Sequence, residues 1–204
     1  MADDDATPPP LRVIPAAEAP FGDVERVFGT RGDPASCWCQ WYKIPGADWR
    51  GVGKDALRDR LEAQIAESGP GPGLLAYEGD EPVGWAAVEP RPRLPRLRTR
   101  RIVKSGTTQP DLDDESVWAV TCFVVPREHR GRGVATELAR AAVDAARAGG
   151  ATVVEAYAVD PTTGAKKSAA ELFPGTVSMY AAAGFAEVAR PTASRVVMQV
   201  SFER

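Results

Sequence analysis

Val117-Trp118-Ala119-Val120-Thr121-Cys122-Phe123-Val124-Val125 runs, past Pro126, into Arg130-Gly131-Arg132-Gly133-Val134-Ala135 and then an alanine-rich stretch that stops at Gly149-Gly150. The first segment is apolar on both alternating faces, the pattern of a central strand covered on both sides. The last, Val134 to Ala148, places Val134, Leu138, Ala142 and Ala145 on a narrow stripe of small residues that permits close packing of a helix on a sheet. A strand, a glycine turn and a helix start together make an anion site. The first amides of a helix lack intrahelical acceptors, and the aligned peptide dipoles add partial positive charge there. Gly131 and Gly133 can take positive φ, so successive N–H groups can converge on one pyrophosphate.

The spacing excludes two common phosphate ligands. An NTPase phosphate loop needs a lysine and Ser or Thr after its last glycine, and the dinucleotide fingerprint needs a third glycine three residues on; neither is present. Arg130-x-x-Gly133-x-Ala135 instead resembles the acyl-CoA pyrophosphate motif of the GNAT acyltransferase superfamily, Gln or Arg-x-x-Gly-x-Gly or Ala. Downstream, Tyr180-Ala181-Ala182-Ala183-Gly184-Phe185 resembles that superfamily's Tyr-x-x-x-Gly-Phe ending. The resemblance covers Val117 to about Phe185 and is weak over the N-terminal third. It implies an α/β fold with a GNAT-like mixed central sheet, splayed at its centre and flanked by helices, and acetyl-CoA as co-substrate.

Working outward, the acidic, proline-rich start through Pro10 reads as a disordered tail, followed by one domain over 11–204. A helix is expected from Ala16 to Phe28, an irregular aromatic-rich segment from Arg31 to Gly53, and a helix from Lys54 to Ser68 with Ala56, Leu57, Leu61 and Ile65 on one face. Leu74 to Tyr77 and Val83 to Val88 read as a hairpin. The basic run Arg91 to Lys104 reads as a loop or strand extension. It could face the 3′-phosphate of CoA or an acidic acceptor, or be a solvated loop balanced by the acids that follow. A strand from Thr152 to Val159, a long loop from Asp160 to Gly175, a short helix to Ala183 and strands near Phe185 to Ala189 and Arg195 to Phe202 complete the chain.

A formal net charge of -3 argues against a general nucleic-acid binder. The start lacks the basic and apolar regions of a secretory signal, and the longest apolar run is strand-sized, so a cytoplasmic location without membrane contact is expected, as monomer or homodimer. Cys37, Cys39 and Cys122 fit a reducing compartment. Cys37 and Cys39, with no nearby histidine, do not complete a tetrahedral metal site, so no metal is expected.

The resemblance assigns Phe123, Val124 and Val125 to the pantetheine arm, and the amides of Arg130, Gly131, Arg132, Gly133, Val134 and Ala135 to the pyrophosphate, with both arginine side chains close by. It makes Tyr180 the acid toward the departing thiolate. The glutamate that some relatives carry on the central strand is missing, leaving Glu155 as the best substitute base, with Asp160 and Glu115 behind it. The frequent asparagine before the tyrosine helix is missing too. Trp38, Trp41 and Tyr42 are expected in the acceptor wall, which suggests an apolar or aromatic acceptor. A cysteine nucleophile would need an activating base, and His129 is expected near phosphate or solvent rather than as a base. Two functions stay open: acetyl transfer to a primary amine of a small molecule or peptide by direct attack, or a catalytically silent acyl-CoA-binding module.

Overall fold

The computed structural model describes residues 10–67, 69, 71–164 and 167–203; the expected tail lies outside these except for Pro10. In chain order the elements are β1 (Leu11–Pro15), α1 (Phe21–Phe28), α2 (Gly32–Cys37), α3 (Lys54–Ala66), β2 (Gly73–Glu78) and β3 (Glu81–Pro90). There follow α4 (Pro95–Arg98), α5 (Arg101–Gly106), β4 (Val117–Val124), α6 (Val134–Ala148), β5 (Val153–Val159), α7 (Val177–Ala182), β6 (Ala186–Thr192) and β7 (Arg195–Ser201). The strands form one seven-stranded sheet in the order β1-β2-β3-β4-β5-β7-β6. Only β4 and β5 run parallel, joined by the crossover through α6; the other neighbours are antiparallel.

Alternation along β2 and β3 divides the core. Leu74, Ala76, Val83 and Ala86 face α6, whose Val134, Leu138, Ala139 and Ala142 are buried against them. Leu75, Tyr77, Trp85 and Ala87 face the opposite side, under Val24 and Phe28 of α1 and Leu57 and Leu61 of α3. The small-residue stripe of α6 sits so close to β3 that a Cβ on Gly84 would come within 2.6 Å of Val134 Cγ1 and 3.0 Å of Leu138 Cδ1. Gly84→Val is therefore expected to lift the start of α6 and cost about 1–3 kcal/mol, read as a lower urea midpoint with unchanged m value.

Three expectations need correction. The helix from Ala16 to Phe28 is broken into a 3-10 turn, Ala16–Glu18, and α1, because Pro20 contributes no N–H and drives Ala19 into extended backbone (φ -105°, ψ 149°). Leu11–Pro15, not foreseen as a strand, forms the sheet edge against β2, where a terminal proline loses no required ladder bond. The segment from Arg31, expected to be irregular, begins with the short helix α2.

The basic run departs furthest from expectation. It folds into a 3-10 turn, Arg91–Arg93, followed by α4 and α5, and two of its arginines are interior residues. Arg91 is fully buried and pairs with the equally buried Glu155 at 3.0 Å. Its Nη2 also donates to the carbonyls of Gln109 and Asp111. The balance by following acids is seen where Arg98 meets Asp113 at 2.5 Å.

Candidate active site

The site begins where β4 and β5 part. Their parallel pairing covers Val117 to Val120 against Val153 to Ala156 and then ends, although both strands continue. A bulge contributes to the separation: Ala87 of β3 pairs with Cys122 and Val88 with Val120, so Thr121 is an extra residue that turns the end of β4. Beyond the bulge the strand leads through a 3-10 turn, Arg127–His129, to Gly131 and Gly133, which stand at φ 76° and 83°. Gly133 is the N-cap of α6, so the amides of the glycine turn and of the helix's first residues face a common space.

That space is one end of a cleft of ≈ 1450 Å³. Phe123, Val124, Val125, Arg130, Gly131, Gly133, Val134 and Ala135 all line it, as the motif reading expects of the donor side. Arg132 does not: its guanidinium turns outward to Glu78 at 2.5 Å. Arg130 reaches the lining but spends its Nε on the Val125 carbonyl at 2.9 Å, bracing the turn. With Arg132 turned away and the Arg130 Nε engaged, an anion placed here would meet chiefly backbone amides. His129 also lines the cleft, with Nε2 3.5 Å from Glu81 Oε1.

The gap between the splayed strands is bridged by Phe173-Pro174-Gly175, a strap held by three successive carbonyls. Phe173 O accepts from the Phe123 amide at 2.8 Å, Pro174 O from the Tyr180 hydroxyl at 2.8 Å and Gly175 O from the Val159 amide at 2.9 Å. One backbone donor expected to serve a pantetheine arm is thus already engaged. Tyr180 is completely buried between Phe123 and Phe185, at ring distances of 5.9 and 5.0 Å, and is not part of the cleft wall. Burial pushes its phenol well above the usual range. In this arrangement the hydroxyl of Tyr180, the expected acid, is engaged with the strap.

Glu155, the other residue expected to be catalytic, is also interior. It has no exposed surface and does not line the cleft. Besides Arg91, its carboxylate accepts from Thr107 Oγ1 at 2.5 Å and from the Tyr157 hydroxyl at 2.8 Å. The carboxylates that do face the cleft are Asp33, at the start of α2, and Glu128.

The far end of the cleft is aromatic. Trp41 and Trp49 meet edge to face at 5.1 Å, and the buried Arg96 guanidinium lies 4.0 Å from the first ring and 5.0 Å from the second. Trp41 and Tyr42 line the cleft as expected, but Trp38 does not: its ring stacks on Phe28 at 5.0 Å with 4° between planes, inside the core. Arg96 locks the tryptophan pair from behind, a role invisible when the basic run is read as solvated. Arg96→Ala is expected to loosen Trp41 and Trp49, read as greater quenching of tryptophan fluorescence by acrylamide, because the substitution removes packing and a cation–π contact at this end of the cleft.

Cys37, Cys39 and Cys122 all reach the cleft, from α2, the turn after it and β4. Trp38 and Cys39 both hold left-handed backbone, φ 46° and 52°, which turns the Cys39 thiol toward Cys122. The adjacent Cys122 thiol, followed by burial, raises the Cys39 thiol well above its usual range, and burial pushes Cys37 up to about 12. No metal-holding group of three or more His, Cys, Asp or Glu occurs among the described residues. Among those residues, no helix is long and apolar enough to cross a membrane.

The site is thus a mixed sheet splayed beside a glycine turn, with helix-start amides at one end of a cleft and a tryptophan pair at the other, the arrangement that the resemblance to acyl-CoA-dependent transferases leads one to expect. The model of the acetyltransferase (GNAT) family matches residues 38–172, and the chain belongs to that family. Among solved structures, yncA from Salmonella typhimurium, determined with its cofactor acetyl-CoA, is similar at 16% identity and TM-score 0.51, covering 95% of this chain and 94% of the other. A GNAT-family acetyltransferase from Streptococcus pneumoniae is similar at 13% identity and TM-score 0.50, with 95% and 100% coverage. At these identities the likeness is one of fold. No match was found among curated proteins.

Proposed function

We propose that the protein transfers an acetyl group from acetyl-CoA to a primary amine carried by an aromatic or apolar molecule or peptide end, by direct attack. The observation that carries this reading is the continuity of one cleft from the glycine turn, past the edge of β4, to the Trp41–Trp49 pair. A diphosphate ester at the first end and an amine held against the second would meet beside Cys122 and Phe123. Catalysis would rest mainly on positioning, since holding both reactants in one cleft removes the entropic cost of their encounter. An acyl-enzyme on Cys37 or Cys39 is disfavoured, because both thiols are held above their usual range and are weakly nucleophilic when protonated. The amine's proton would pass to water or to Asp33 or Glu128, the carboxylates on the cleft wall.

A silent acyl-CoA-binding module has one observation in its favour: neither Tyr180 nor Glu155 reaches the cleft. Two measurements separate the readings. Acetyl-CoA at ~100 times its dissociation constant contributes about 2.7 kcal/mol and should raise the unfolding midpoint by roughly 5–10 °C, while ATP and NAD should not. Release of free CoA thiol is then followed across a panel of aromatic and aliphatic amines. A thermal shift without turnover would favour the silent module, and the absence of any shift would remove both readings.

A further inference from the structure

We propose that Tyr42 is the residue that protonates the departing sulfur, an inference resting on the acetyltransferase reading above. The phenol of Tyr180 is sealed in the core and committed to Pro174 O at 2.8 Å, so it has neither access to the cleft nor a free direction in which to donate. Tyr42 has both. It lines the cleft, is half-buried, and among the described residues its hydroxyl makes no hydrogen bond. Its backbone is held, because its carbonyl accepts from the Arg96 amide at 3.0 Å.

Placement supports the role. The Tyr42 ring lies 6.5 Å from the ring of Phe173, the strap residue whose carbonyl meets the Phe123 amide, so the phenol stands near the strand edge where a thioester would lie. The charged and titratable groups acting on it come from every side of this junction: Arg195 at the start of β7, Arg100 ahead of α5 and Cys122 of β4, with Tyr180 behind. Burial raises the Tyr42 phenol above its ordinary range and the two arginines offset part of that rise. The group therefore stays protonated through neutral pH, as an acid must, while the arginines favour the phenolate that forms when the proton leaves.

The step balances as follows. The amine nitrogen bonds to the thioester carbonyl carbon; collapse of the tetrahedral adduct breaks the C–S bond, with the electron pair remaining on sulfur. The Tyr42 Oη proton moves to that sulfur, giving CoA as its thiol. The proton lost by the amine nitrogen returns the phenolate to phenol through water.

The test needs no acceptor. Dissociation constants for CoA and desulfo-CoA are measured by calorimetry between pH 7 and 9.5 with the full chain and with Tyr42→Phe and Tyr180→Phe. An alkyl thiol ionises near about 8.5, so a phenol facing the sulfur should make CoA bind increasingly more tightly than desulfo-CoA as pH rises, by roughly tenfold at the upper end. Tyr42→Phe should reduce that preference to below about twofold at every pH without weakening desulfo-CoA. Tyr180→Phe should retain it. Since the Tyr42 hydroxyl has no protein partner among the described residues, the phenylalanine variant keeps the ring packing and should fold. A sulfur preference that survives Tyr42→Phe, or is absent from the unsubstituted chain, overturns the assignment and leaves the acetyltransferase reading standing. Failure of the unsubstituted chain to bind either compound overturns both.

Discussion

Glu155→Ala is expected to lower the free energy of unfolding by about 3–5 kcal/mol, the cost of leaving a buried charge without its partner. The stranded group is Arg91, which has no exposed surface and no route to solvent. Its remaining partners are neutral: Thr107 Oγ1 at 3.0 Å and the carbonyls of Gln109 and Asp111. They stabilise the guanidinium without cancelling its charge. Tyr157 and Thr107 lose their acceptor in the same change. For a chain of this length each kcal/mol moves the midpoint by roughly 2–4 °C, so calorimetry should record a fall on the order of 6–20 °C. The sign of the effect on activity separates roles. A base would lose turnover at a temperature where the variant is still folded. A buried network member should keep kcat near that of the unsubstituted chain at 15 °C and lose it on warming, as the folded fraction falls. Arg91→Met with Glu155→Leu should recover most of the loss, because replacing both ions by apolar side chains removes the stranded charge.

Gly133→Val is expected to weaken acetyl-CoA binding by roughly 5–30-fold. At φ 83° a β-branched residue is strained by about 1–2 kcal/mol, and no atom lies within 4 Å of the position, so the penalty is conformational rather than a clash. The unliganded variant can relieve the strain by rotating the turn, which takes the amides out of convergence. Binding must then restore the strained geometry and loses that much affinity. Titration of acetyl-CoA by calorimetry should show the change in the dissociation constant, with an unfolding midpoint lowered by no more than a few degrees. Equal affinity in the two proteins would mean that the pyrophosphate is held elsewhere.

The donor side was readable because its chemistry is local. The central strand, the two glycines and the start of α6 are contiguous, and their apolar pattern and positive-φ requirement belong to adjacent residues. The short-range signals at α3 and the β2–β3 hairpin were readable for the same reason. Trp38 and Trp41 look alike in the sequence, yet the left-handed turn at Trp38 and Cys39 sends one ring onto Phe28 and leaves the other at the cleft. Arg91 and Arg96 looked like members of a solvated run. What distinguishes them is a carboxylate 64 positions away and a tryptophan pair on another segment.

The sequence by itself therefore determined the strand–turn–helix unit, the order of most elements, the family resemblance and the glycine turn at one end of the cleft, all consequences of periodicity and glycine placement over short stretches. Tertiary structure alone decided which carboxylates and arginines face the cleft, and that Tyr180 does not. Glu155, Tyr180 and Arg91 are held inside by partners distant in the chain, and Tyr42 is left facing the donor strand with its hydroxyl unengaged among the described residues. The physical reason is that burial and hydrogen-bond pairing of a polar side chain are set by what other segments bring to it, and no local pattern records that.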